Sequence, residues 1–205
     1  MLKSENIIAG LQTIVNNYSN VAIIWHGFFY ILIASLIIKW EPSNRTVGLI
    51  MSLPLLSVAI LAWITGNPFN GIIFSVATML LIIFGFRANS QPIDYSQLPF
   101  IIAGILMIIF GLIYPHFTNP DSILKYLYAS PAGLIPCPTL SIVIGFLLLY
   151  NGFGSQSVTL TLIALGLFYG IFGILKLAVY LDLFLLFGTI TLLVKYILLL
   201  RTPAP

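Results

Sequence analysis

Seven apolar stretches, separated by short polar or glycine-proline segments, leave this chain few ways to fold. They run from about Ser19 to Ile38, Val47 to Thr65, Phe69 to Phe86, Pro99 to Tyr114, Pro138 to Tyr150, Val158 to Lys176 and Leu181 to Leu200. A helix needs about 20 apolar residues to cross a bilayer. Lipid offers the backbone no hydrogen-bond partners, so each span must satisfy its own backbone, as a helix does. Only 6% of the 205 residues are charged and 60% are hydrophobic, whereas soluble domains are about 25% charged. The expectation is a single all-α integral membrane domain over residues 1–205, a polytopic transmembrane helix bundle of about seven spans whose main partner is the lipid bilayer.

The net charge of +3 does not point to nucleic acid, because the eight Lys and Arg are scattered singly. They serve better as topology markers. Lys39, Arg45, Arg87, Lys195 and Arg201 fall on one side of a seven-pass bundle, and Lys3, Lys125 and Lys176 on the other. The positive-inside rule then places the N-terminus out and the C-terminus in. Met1-Leu2-Lys3-Ser4-Glu5 makes a poor signal peptide, so the first apolar run is expected to stay. Residues 6 to 17 carry Ile7, Ile8, Leu11, Ile14 and Val15 at helical spacing and read as an interfacial helix. Asp121, Lys125 and the tyrosines after them suit a second, shorter one. Pro54 predicts a kink in the second span.

The stretch Pro131-Ala132-Gly133-Leu134-Ile135-Pro136-Cys137-Pro138-Thr139 holds three prolines and the only cysteine. It predicts a fifth helix that is short or broken at its start. Non-helical backbone at membrane depth is tolerated only where protein buries it or it lines a cavity, so a pocket beneath that helix is expected. Seven passes bring Asn67, Tyr114, His116, Cys137, Lys176 and Asp182 to one face, the extracytoplasmic one by the charge count. The ligand-binding candidates are Asn67, Tyr114, Pro136, Cys137, Pro138, Thr139 and Asp182. His26, His116 and Cys137 form a candidate metal set without a signature spacing; otherwise His26 is a hydrogen-bonded interhelical residue. Cys137 is either a small buried hydrophobe or a ligand or redox thiol at a helix N-terminus. Asp182 either pairs with Lys176 at the membrane boundary or handles a proton or substrate group. Lys195 is expected to snorkel to the inner interface. The helix 6 face Gly166-x-x-x-Gly170, then Gly173, suits close helix packing, within the bundle or across a homo-oligomer.

Tyr114-Pro115 followed by Gly133-Leu134-Ile135-Pro136-Cys137-Pro138-Thr139 resembles a bacterial family of seven-pass membrane proteins catalogued as a domain of unknown function. Asn67-Pro68, Asp182 and, more loosely, Tyr18, Asn20, Ala22 and Trp25 look like further family positions. His26, where the family has proline, and Lys176 depart from the pattern, so the resemblance implies no role for either. It implies a seven-helix fold in a bacterial inner membrane and no activity or cofactor.

Three functions fit these residues. The first is binding or transport of a small ligand or ion in the pocket under helix 5. The second is a membrane enzyme or redox protein using Cys137, for which only His116 or His26 could act as base. The third is a structural or accessory membrane protein. A retinal-type receptor fits poorly, because Phe69 to Phe86 holds no carboxylate and Lys195 lies near the inner end of its helix.

Overall fold

The computed structural model describes residues 4–38, 40–88, 90–118, 122–151 and 156–201. Lys3, Lys39 and Asp121, and the 152–155 part of the predicted glycine-serine turn, lie outside these. In chain order the helices are α1 (Ser4–Asn17), α2 (Ser19–Ile37), α3 (Asn44–Ile64), α4 (Pro68–Arg87), α5 (Leu98–Ile113), the short α6 (Tyr126–Ala129, after a 3-10 turn at Ile123–Lys125), α7 (Pro136–Leu149), α8 (Gln156–Leu177) and α9 (Asp182–Arg201). Among the described residues there is no strand. Two isolated bridges, Ser43 with Pro92 and Tyr95 with Tyr150, tie loops together at one end of the bundle.

Four helices, α3, α4, α8 and α9, are long and apolar enough to cross a membrane, and the bent pair α1–α2 makes a fifth candidate. α5 and α7 are apolar but have 16 and 14 residues, or about 24 and 21 Å of helix, less than the roughly 30 Å hydrocarbon core. The expected seven spans therefore appear as four or five on length alone. Isoleucine, leucine and phenylalanine stand exposed along α3, α4, α5, α8 and α9. Such a continuous apolar exterior suits lipid, not water.

α1 buries Leu11, Ile14 and Val15 and meets α2 at 73°, so the two helices form a sharply bent pair. Pro54 sits inside α3, which continues on both sides of it. At the bundle centre is α7. All its residues except Cys137 are buried, as expected of a helix that is apolar on every side. It runs antiparallel to α5, where the two backbones nearly touch: a Cβ on Gly111 would lie 2.6 Å from Pro138 O, and one on Gly104 2.6 Å from Gly145 O. The α8 glycine face packs inside the same bundle, Gly166 on Thr189, Gly170 on Leu186 and Gly173 on Asp182, all of α9. That settles the packing of this face in favour of the bundle interior.

Candidate functional site

The break before α7 is built from the predicted residues. Ser130, Ala132, Leu134 and Ile135 are buried, so this irregular backbone lies within protein. Gly133 takes φ +77°, the left-handed region that glycine enters freely. Thr139 Oγ1 accepts from Gly133 N at 2.9 Å and donates to Ile135 O at 2.7 Å. Pro136 and Pro138 occupy the first turn of α7, where a helix leaves its N–H groups unpaired in any case. The prolines and threonine thus shape the break and hold it.

Three distant segments meet at the head of α7. The Tyr114 hydroxyl donates to Asp182 Oδ1 at 2.8 Å, and the Cys137 thiol donates to Asp182 Oδ2 at 3.2 Å. Tyr114 is 0% and Asp182 1% exposed. Gly173 makes room for the carboxylate, since a Cβ there would lie 1.8 Å from Oδ2. The turn before α9 is fixed by Val179 N on Gly173 O at 2.9 Å and Asp182 N on Val179 O at 3.1 Å. Leu11, Ile14 and Val15 of α1 join Tyr114, Leu134, Ile135 and Val179 in one apolar cluster, with Cys137 at its edge. The site is therefore a closed, hydrogen-bonded knot under α1, where the sequence predicted an open pocket.

Other predicted residues fall elsewhere. Asn67 caps α4, its side chain accepting from Asn70 N at 3.1 Å. Three residues on, Asn70 is the one that enters the interior, accepting from Tyr169 OH at 2.8 Å. Asn70, Tyr169 and Ser130 were missed from sequence. The usable signals were Asn70 following Asn67 at i+3 and a tyrosine set in the α8 glycine face.

The metal set does not assemble. His26 Nδ1 lies 2.8 Å from Ala22 O and its Nε2 lies 3.0 Å from Leu112 O and 3.3 Å from Ser130 Oγ. The Ser130 hydroxyl donates to Leu112 O at 2.5 Å, covering a carbonyl that α5 leaves free at its C-terminal end. His116 stacks edge-on against Phe117 at 4.2 Å, and burial pushes its imidazole pKa down. Among the described residues no group of three or more His, Cys, Asp or Glu could hold a metal ion. Among the described residues the Cys137 thiol hydrogen-bonds to Asp182 and to neither histidine. The Lys176–Asp182 pairing is also replaced: Asp182 turns inward to Tyr114 and Cys137, while Lys176 is exposed.

Lys195 overturns its expectation most completely. It is 3% exposed and does not snorkel. Its ammonium reaches Ser96 Oγ at 2.5 Å, Leu147 O at 2.8 Å, Leu148 O at 3.4 Å and Tyr150 O. These lie at the C-terminal end of α7, opposite the Cys137 end. One helix, α9, thus puts an acid at the N-terminus and a base at the C-terminus of α7, each complementary to the helix dipole.

Comparison of the chain with protein-family models, curated proteins and solved structures gives no match.

Proposed function

We propose that this chain is a seven-pass membrane protein, N-terminus out and C-terminus in, that binds and moves a small ligand or ion, with Asp182 as the group that receives it. The resemblance carried by Pro136-Cys137-Pro138-Thr139 agrees with the seven-pass layout, with α5 and α7 as short passes. One observation carries the functional reading. A carboxylate lies buried in a membrane bundle with only neutral donors, Tyr114 and Cys137, on its two oxygens. Intramembrane ionisable groups are costly to keep and commonly mark ion or substrate paths. Here the group also faces the start of a broken helix, α7, through Cys137, the arrangement in which transporters place their sites. Because the knot is closed, ligand entry requires α1 or the turn at residues 178–181 to move.

Thermal unfolding of the purified protein tests this, with protons, sodium, potassium and small organic cations as the probes. At least one probe is expected to raise the Tm of the wild type with concentration. At a hundredfold excess over Kd the gain is about 2.7 kcal/mol, roughly 5–10 °C for a chain of this size. Asp182→Asn, which keeps the shape and removes the charge, is expected to lose that response. Identical curves for the two proteins across all probes would refute the reading.

A further inference from the structure

The C-terminal end of α7 can be accounted for bond by bond. A helix leaves its last four carbonyls without partners inside the helix, and at membrane depth water does not take them. Phe146 O accepts from Tyr150 N at 3.2 Å, and Leu149 O accepts from Ser96 N at 2.9 Å. Leu147 O, Leu148 O and, one residue beyond the helix, Tyr150 O converge on a single point, joined there by Ser96 Oγ. The Phe100 ring closes one side, its centroid 5.9 Å from Lys195 Nζ, within the range at which an aromatic face attracts a cation. The position is buried and at the negative end of a helix dipole. Among the described residues, each hydrogen-bonding partner around it is a neutral oxygen. This set of acceptors suits a monovalent cation with N–H groups: several oxygens that take its hydrogen bonds and an aromatic wall.

We propose that Leu147 O, Leu148 O, Tyr150 O, Ser96 Oγ and the Phe100 ring form a binding site for one ammonium-type cation, which the protein fills with its own Lys195. The lysine side chain acts as a tethered ligand. It arrives from α9, whose one acidic residue, Asp182, sits about 20 Å away along the helix at the opposite end of α7. Any species that enters the site must displace or replace the Lys195 ammonium. The inference stands on this cluster alone and is independent of any role for Asp182.

The test uses the full chain with Lys195→Met, a side chain of similar length without charge or donors. The variant is expected to unfold about 5 °C or more below the wild type, because buried carbonyls lose their donor. Ammonium or methylammonium chloride is expected to recover at least half of that loss. Tetramethylammonium chloride at the same concentration, which has the charge but no N–H group, is expected to recover none. Neither salt is expected to distinguish itself on the wild type, whose site is filled. Equal recovery by all the salts, no recovery by any, or no loss of Tm in the variant would each overturn the proposal. If Lys195→Met does not fold, the wild type labelled with 15N-lysine decides. The proposal expects one ammonium resonance protected from water exchange, which disappears in Lys195→Arg. A neutral amine or a freely exchanging signal would overturn it.

Discussion

Gly173→Ala is expected to dismantle the Asp182 knot and lower the Tm by about 10 °C. The new methyl would lie 1.8 Å from Asp182 Oδ2, 2.8 Å from its Cγ and 3.1 Å from its Cβ. The carboxylate has no easy retreat. Its own backbone is held by Asp182 N on Val179 O, and Val179 N is held by Gly173 O itself. Over-packing a tight interior costs about 1–3 kcal/mol. Moving the carboxylate also leaves the buried Tyr114 hydroxyl and Cys137 thiol without an acceptor, about 1–3 kcal/mol each. For a chain of this length each kcal/mol is worth about 2–4 °C. The loss should come with faster reaction of Cys137, the only thiol, with a small alkylating reagent. Gly166→Ala is the control: its methyl would meet Thr189 Oγ1 at 2.2 Å, so it destabilises the α8–α9 contact away from Cys137. Unchanged labelling in Gly173→Ala, or an equal increase in Gly166→Ala, would show that Asp182 does not hold the thiol.

The second large effect is expected at Gly133→Ala, for two additive reasons. The backbone there has φ +77°, and the left-handed region costs a residue with a Cβ about 1–2 kcal/mol. The Cβ would also stand 2.3 Å from Trp25 Cγ and 2.4 Å from Trp25 Cδ1. The indole is poorly placed to yield, because its Nε1 donates to Ser57 Oγ at 2.9 Å and Phe28 packs edge-on at 5.1 Å. With about 1–3 kcal/mol of over-packing the total reaches roughly 2–5 kcal/mol, which denaturant or thermal unfolding reads directly. A wild-type Tm would mean that the turn before α7 differs from the one described. Thr139→Val probes the same turn by another route. It keeps the shape but strands Gly133 N, while Ile135 O, the N-cap carbonyl, keeps its intrahelical bond; the expected loss is about 1–3 kcal/mol, whereas Thr139→Ser keeps the hydroxyl and should restore most of it. Equal stability of the valine and serine variants would remove the hydroxyl from the account.

Much of the architecture was readable because hydropathy is local. The apolar runs, the amphipathic α1, the break at Pro136–Pro138 and the α8 glycine face all follow from residues near one another in the chain. The centrality of α7 was not readable. A short apolar helix reads the same whether it skims lipid or fills a core, and only its neighbours α5, α8 and α9 distinguish the two.

Polar residues divide in the same way. That Tyr114, Cys137 and Asp182 fall at one end of the bundle follows from counting passes. That Asp182 faces the other two instead of Lys176 depends on how the turn at Val179–Asp182 folds over Gly173. Asn67 marked the right turn of chain, but its side chain is spent on capping α4, and Asn70 goes inward instead. Lys195 was expected at the interface because a lysine close to a helix end can reach water along its own stem. The carbonyls that hold it belong to residues more than forty positions earlier, which no local pattern announces. By itself, then, the sequence determined that this is a helical membrane protein and that its few buried polar groups must find partners. Lipid supplies none, and the cost of an unpaired group there is several kcal/mol. Which partners they find was decided only by the tertiary structure, because each bond joins segments that the chain brings together through the packing of α7 between α5 and α9.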